Sequence, residues 1–213
     1  MDLPISRTDY EAEGLDAATV AADPIEQFTK WMDDAVAAGA PEAGAMVLST
    51  VDAAGRPRGR NVLLRGVDDR GFMFYTNFES DKAKALDATG LASLTFHWFE
   101  VHRQVIIEGT VVRATTEESD AYFASRPRES QLGAWASDQS SILTSKDELL
   151  KALSEATERF ADTEVTRPPF WGGYRVIPTE IEFWQGQPSR LHDRIRYERS
   201  PADTSWETVR LSP

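Results

Sequence analysis

The sequence contains no cysteine. That excludes disulfides, thiolate metal sites, iron–sulfur clusters and a cysteine nucleophile. No apolar run approaches the roughly 18 residues of a membrane span. Met1-Asp2-Leu3-Pro4 has neither the basic flank nor the apolar core of a secretory signal. These absences predict a cytoplasmic protein without a membrane partner. Histidine is scarce: His97, His102 and His192 are the three. His97 and His102 flank a turn with no acidic residue at metal-ligand spacing, so no metal site is expected. G-x-G-x-x-G, P-loop, G-x-S-x-G and H-E-x-x-H patterns are all missing. With no obvious nucleophile or metal, catalysis would need a borrowed organic cofactor, the protein supplying binding, orientation and electrostatics.

What is present is an ordinary globular composition: 213 residues, 41% hydrophobic and 27% charged. The length suits one domain with a good core, or a core plus a helical extension. A net charge of −12 argues against nucleic acid as partner. The cations are unevenly chosen, with 18 Arg against 5 Lys. Arg falls in tight groups (56, 58, 60, 65; 126, 128; 190, 194, 196, 199), which reads either as local anion sites, since the planar fork suits phosphate, or as a surface biased towards Arg.

Residues 1–22 read as a polar, Ala-rich N-terminal arm, and 23–213 as one domain. Asp23-Pro24 predicts a helix start with Asp as N-cap. Ile25, Phe28, Trp31, Met32 and Ala35 recur at helical spacing, with Gly39 as C-cap. Strands are expected at 45–51, 58–65 and 72–76, joined by turns at Asp52–Gly55 and Asp68–Gly71 as an antiparallel meander. A short helix at 79–88 precedes strands at 92–98 and 104–113. A helix at 117–125 ends at Arg126-Pro127. Ser145–Glu148 reads as a capping box opening a helix with the stripe Leu149, Leu153, Ala156 and Phe160. Four more strands are expected at 174–177, 180–184, 191–197 and 206–211. The pattern predicts an antiparallel sheet of about eight strands, closed as a barrel with helices outside.

Four constellations carry chemistry. If 190–194 is extended, Arg190, His192 and Arg194 share one face over roughly 13 Å, able to engage an anion and an aromatic ring; a solvated edge strand is the plain alternative. Tyr122 and Arg126, four apart on a helix, with Ser130 beyond the Pro break, form a phosphate cup or an incidental helix end. In Arg60-Asn61-Val62-Leu63-Leu64-Arg65, alternation puts Arg60 and Arg65 on opposite faces, so they should not serve one anion. Tyr75 to Lys82 runs a strand into a helix N-terminus, where backbone N–H groups favour phosphate and Lys82 adds charge, or which is a simple N-cap.

Together these segments resemble the pyridoxine/pyridoxamine 5′-phosphate oxidase family. The run from Glu182 to Arg194 looks like its C-terminal signature, Glu-aromatic-Trp followed by Arg-Leu-His-Asp-Arg. Arg60–Arg65, Phe74–Asn77, Ser125–Trp135 and Phe170–Gly173 also look like family motifs, in family order. The resemblance implies an α+β fold, an antiparallel FMN-binding split β-barrel of Greek-key type with flanking helices, as a homodimer with FMN at the subunit interface. It implies that Arg60 and Lys82 hold the FMN phosphate, with residues 61–65, Tyr75, Thr76, Gln104, Gln139, Ser140, Trp184 and Arg194 completing the flavin site. Tyr122, Arg126, Ser130 and Arg65 would bind the substrate phosphate. Arg190 and His192, the catalytic pair, would sit over the pyridine ring, and Arg7 and Tyr10 would close over the substrate. The implied reaction is hydride transfer from C4′ of pyridoxamine or pyridoxine 5′-phosphate to flavin N5, with O2 as acceptor and H2O2 as product. Two positions depart from the family pattern: Arg65 stands where Lys is frequent, and Asp81 where a basic residue commonly serves the flavin phosphate. Rival readings are a phenazine-biosynthesis type of flavin oxidase, and a non-catalytic split barrel binding flavin, deazaflavin or pyridoxal phosphate.

Overall fold

The computed structural model describes residues 14–199 and 205–213. Helix α1 spans Pro24–Ala37, and the Asp23 carboxylate accepts the Ile25 N–H at 2.7 Å. Ala38 is the cap residue itself, with Gly39 next in the left-handed region at φ 83°. One face of α1 carries Phe28 and Trp31 into the core. Phe28 meets Phe72 and Phe96 at 5.0 and 4.9 Å, and Trp31 meets Phe183 edge-on at 5.1 Å. Burying each such ring is worth about 1.5–3 kcal/mol, which fixes the helix across the sheet.

The sheet is antiparallel and curls into a half-barrel. Its strands are β1 Ala45–Val51, β2 Pro57–Leu63, β3 Gly66–Asp68, β4 Gly71–Asn77, β5 Leu91–Trp98, β6 Arg103–Arg113, β7 Trp171–Gln185, β8 Asp193–Glu198 and β9 Glu207–Leu211. The order is β2-β1-β5-β6-β7-β4-β3, with β8 between β7 and β9. The expected meander over 45–76 does not form. β1 and β2 are a hairpin, but β4 pairs with β7 instead of β2. The chain changes sides within two residues: the Leu64 N–H bonds Gly44 O, and the Arg65 N–H bonds Met73 O, both at 2.8 Å.

The expected strands 174–177 and 180–184 are one strand, β7. Along one edge it pairs with β6 from Tyr174 to Gln185; along the other, Trp171–Val176 pairs with β4 and Glu180–Gln185 with β8. Pro178 sits at this handover, where its missing N–H interrupts neither ladder. The β6 partner shifts register between Glu108 and Gly109, a bulge that bends the strand. A Cβ on Gly109 would lie 2.0 Å from Ile177 O, and one on Gly71 2.1 Å from Val176 O, so both glycines are required by close backbone approach at the split.

Helix α2 is Asp81–Thr89, capped by Ser80. Helices α3 (Thr116–Ser125), α4 (Arg128–Ala136) and α5 (Lys146–Arg159) cover a second cluster of Phe123, Leu132, Ala156, Phe160 and Trp171. Helix α4 was not expected from the sequence. The expected capping box at Ser145 is not formed: Thr144, through both N–H and hydroxyl, takes the Glu148 carboxylate instead. The capping box lies at Thr115–Glu118, opening α3. Leu15 is buried in the main core, and the Tyr197 hydroxyl donates to Ala21 O at 2.7 Å. No helix among the described residues is long and apolar enough to cross a membrane.

Candidate active site

Two cation cups lie near the start of β7. The first is set by β2 and α2. Arg60 directs Nη1 to Leu48 O and Thr50 Oγ1, at 3.1 and 2.8 Å. Lys82, in the first turn of α2, donates from Nζ to Gln139 Oε1 at 2.7 Å, and to Thr76 Oγ1 and Ser80 Oγ at 3.2 Å. All three acceptors are neutral. Burial, reinforced by Arg60, lowers the Lys82 ammonium to about 8, against the opposing pull of Asp81. Thr76 also donates to Gln139 at 3.1 Å, and Ser140, at φ 77°, accepts the Asp81 N–H. Val62 on β2 and Leu64 just beyond it pack against the core, Leu63 is half-buried and Asn61 is exposed. The Asp81 carboxylate pairs with Arg58 at 2.9 Å.

The second cup is set by α3, α4 and β7. The capping box places the start of α3, with Glu118 N–H to Thr115 Oγ1 at 3.1 Å and Thr115 N–H to Glu118 Oε2 at 3.0 Å. Pro127 ends the helix, leaving Arg126 extended as its cap. The Arg126 guanidinium lies 4.5 Å over Trp171, and its buried Nη1 has no hydrogen-bond partner among the described residues. Burial pushes its pKa below the ordinary arginine range, with Arg65 adding to the effect. Arg65 therefore belongs electrostatically with Arg126, while Arg60 belongs with Lys82. Tyr75 stacks on Tyr122 at 3.9 Å and on Trp171 at 5.7 Å. Arg126, Ser130, Trp171, Asn77 and Gln139 line a cavity of about 280 Å³. Gln139 is thus common to both cups.

A third set stands at the far end of β7. Register places Gln104 beside Trp184 and Trp184 beside Arg194. The His192 ring lies 4.7 Å from Trp184, and its Nδ1 accepts the Gln187 N–H at 3.0 Å. The extended reading of 190–194 does not hold. Pro188–Arg190 is a tight turn, Ser189 and Arg190 are left-handed at φ 56° and 62°, and β8 begins only at Asp193. Arg190, His192 and Arg194 therefore share no strand face, and Arg190 is exposed. Arg194 grips Glu182 with Nε and Nη2 at 2.8 and 2.9 Å and donates to Ser212 O. Arg7 and Tyr10 lie outside the described residues.

Sequence reasoning missed Arg175. This buried guanidinium, 6% exposed, bonds Asp68 at 2.5 Å and Glu118 at 3.1 Å. It joins the β3–β4 hairpin to the start of α3, and so holds the second cup against the sheet. A lone charge inside an apolar strand was the signal that could have found it.

Trp171, beside Arg126, and Trp184 are thirteen residues apart on β7, about 40 Å of strand contour. The two cups and the Trp184 row therefore occupy opposite ends of one long strand.

The curled antiparallel sheet with its flanking helices defines a split-barrel protein. A model of the pyridoxamine 5′-phosphate oxidase family matches residues 32–160, and one for the pyridoxine 5′-phosphate oxidase C-terminal dimerisation region matches 171–213. The chain is 50% identical over 207 residues to a pyridoxine/pyridoxamine 5′-phosphate oxidase of Paraburkholderia phytofirmans, covering 97% of each. It is 51% identical to that of Rubrobacter xylanophilus, over all of this chain and 97% of the other. Among solved structures it resembles PhzG from Burkholderia lata, in complex with tetrahydrophenazine-1-carboxylic acid, with a TM-score of 0.88, 32% identity and 95% and 99% coverage. A pyridoxamine 5′-phosphate oxidase-related FMN binding protein from Nostoc punctiforme shares the fold at a TM-score of 0.70, 14% identity and 87% and 97% coverage. The chain belongs to the pyridoxine/pyridoxamine 5′-phosphate oxidase family.

Proposed function

We propose that this protein is an FMN-dependent oxidase converting pyridoxamine and pyridoxine 5′-phosphate to pyridoxal 5′-phosphate, with O2 consumed and H2O2 released. The observation that carries it is the pair of cups. Among the described residues Lys82 hydrogen-bonds only neutral oxygens, the nearby Asp81 being paired with Arg58, and Arg126 keeps a buried Nη1 without a partner. Burying a cation without a counter-charge is costly, and a bound phosphate relieves it. Two such cups fit two phosphates, one of the flavin and one of the substrate.

The residues fit FMN. Arg60 and Lys82 would hold its phosphate, with Tyr75, Thr76, Gln139 and Ser140 alongside, while Gln104, Trp184 and Arg194 would flank its ring. Bound FMN supplies a two-electron acceptor that O2 regenerates. Tyr122, Arg126, Ser130 and Arg65 would hold the substrate phosphate. Arg190 would orient the pyridine ring and stabilise charge developing on it. His192, its Nδ1 already occupied by Gln187 N–H, would position the substrate amine or hydroxyl through Nε2. Arg7 and Tyr10, in the 1–22 arm of the 23–213 domain, would close over the substrate.

The length of β7 supports a homodimer. The cups of one copy are too far along the strand from its own Trp184, His192 and Arg194 to share one flavin, so a second copy would contribute them. The likeness to PhzG favours a second reading, oxidation of a phenazine precursor; the Arg65–Arg126 cup and the higher identity to the B6 oxidases weigh against it. An absorption spectrum and an oxygen-consumption assay test the proposal. A yellow protein that makes peroxide from pyridoxamine 5′-phosphate is expected. A colourless protein that cannot be loaded with FMN, or a yellow one inert towards both phosphorylated vitamers, would overturn it.

A further inference from the structure

We infer that Arg58 is a third cation of the flavin-phosphate cup, and that its ion pair with Asp81 is what makes a carboxylate tolerable beside a bound phosphate. The inference rests on the flavin reading above and concerns residues of this chain alone.

Asp81 opens α2, directly before Lys82. A carboxylate there suits the helix dipole but would repel an incoming phosphate. Arg58 and Arg60 are two apart on β2, hence on one face. Their β1 partners are Thr50 and Leu48, and the Arg60 guanidinium bonds Thr50 Oγ1, leaning towards the position of Arg58. Arg58 reaches across to Asp81 Oδ2 with Nη1 at 2.9 Å. Its Nε and Nη2 take no hydrogen bond among the described residues, so a donor edge stays open while the pair persists. The four charges feel one another: Arg58 depresses Arg60, and Asp81 supports both Arg60 and Lys82. Three cations against one carboxylate leave a surplus of two, which matches a phosphate monoester of about −1.5 to −2. Without Arg58 the surplus falls to one. Both partners are about half exposed, 56% and 52%. A pair of that exposure is weak, so Arg58 can shift its grip from Asp81 to the phosphate, or bridge both, at little cost.

The test is flavin binding, read by quenching of flavin fluorescence, with riboflavin as the ligand lacking the phosphate. Arg58 is exposed on the edge strand, so R58A should fold as the parent does. R58A is expected to weaken FMN binding about tenfold, the loss of one charge-assisted hydrogen bond, while leaving riboflavin binding unchanged. Adding D81N to R58A should recover most of the loss, because the unneutralised carboxylate is then gone. R58A binding FMN as tightly as the parent, or losing FMN and riboflavin equally, overturns the role of Arg58. No recovery in R58A/D81N overturns the part given to Asp81. Unmodified protein that binds neither flavin overturns the flavin reading itself, a result distinct from both.

Discussion

Both ends of β7 hold ion pairs, such as Arg175 with Asp68 and Glu118 near Trp171, but they differ in the cations left without a carboxylate. At the Trp171 end, among the described residues, Lys82 hydrogen-bonds only neutral oxygens, and Arg126 lies against an indole with one buried nitrogen unpartnered. At the Trp184 end, cations sit in ion pairs: Arg194 with Glu182, Arg196 with Glu180 and Glu198 although its buried Nε takes no hydrogen bond among the described residues, and Arg210 with Asp193. An unmatched buried cation stores a demand for an anion, whereas a matched pair has already met it. On the proposed reading, the first end is the one that receives charge. The second holds its shape and offers rings, with Trp184 against His192. Arg190 is the exception there, exposed on a left-handed turn.

That exception gives the largest effect with which to break the contrast. R190A is expected to lower turnover roughly a hundredfold, the scale of losing substrate orientation, with flavin content unchanged in the absorption spectrum. Equal turnover would remove Arg190 from the reacting centre. R126M comes next. Loss of a charge-assisted contact worth about 1.5–3 kcal/mol should raise KM for the phosphorylated vitamers between tenfold and a hundredfold, leaving FMN affinity intact. If FMN affinity falls with it, the two cups are one.

Lys82 sharpens the contrast through pH. Its folded pKa is depressed to about 8, and a phosphate beside it favours the charged form, so binding takes up a proton above that pH. FMN affinity should be level between about pH 7 and 8, where the phosphate is dianionic, and fall as pH rises above 8. K82R should flatten the profile, because arginine stays charged. The flavin-free protein follows the opposite sense. Between pH 8 and the ordinary lysine range the unfolded chain binds more protons at this position, so its contribution to stability rises with pH. Thermal melts with and without FMN across pH 7–10 separate the two. The smallest effect concerns the support of the second cup. T115A should cost about 1 kcal/mol of stability through the lost cap, and raise KM for substrate without changing FMN affinity.

Much of this was legible in the sequence where local chemistry decides. Asp23-Pro24 opens α1, the strands expected at 45–51, 92–98 and 104–113 match β1, β5 and β6 within one residue, and Pro127 ends α3. The rest turned on long-range pairing. Pro178 read as a strand break, yet β7 runs through it because the neighbouring strand changes there. Helix α4 carries Gly133 and only a weak apolar stripe, its buried residues being Gln131 and Leu132, so packing on α5 makes it a helix. Ser145-x-x-Glu148 matched the capping pattern, but Thr144 competes for the same carboxylate. Thr115-x-x-Glu118 matched equally well and is the box that forms. At the site, alternation expected Arg60 and Arg65 to part, but β2 ends at Leu63 and it is the crossing of the chain at Leu64 and Arg65 that separates them. Alternation could not foresee positive φ at Ser189 and Arg190, which is uncommon for either residue type.

The length of β7 also has a genetic consequence. If each site draws its cups from one copy and its Trp184 row from the other, damage at one end of the strand and damage at the other belong to separate complementation groups within a single gene. Two inactive alleles, one altered at Arg126 and one at Arg190, would restore activity when co-expressed, since a mixed pair assembles one intact site and one carrying both lesions. Random pairing of equal amounts would give about one working site in four.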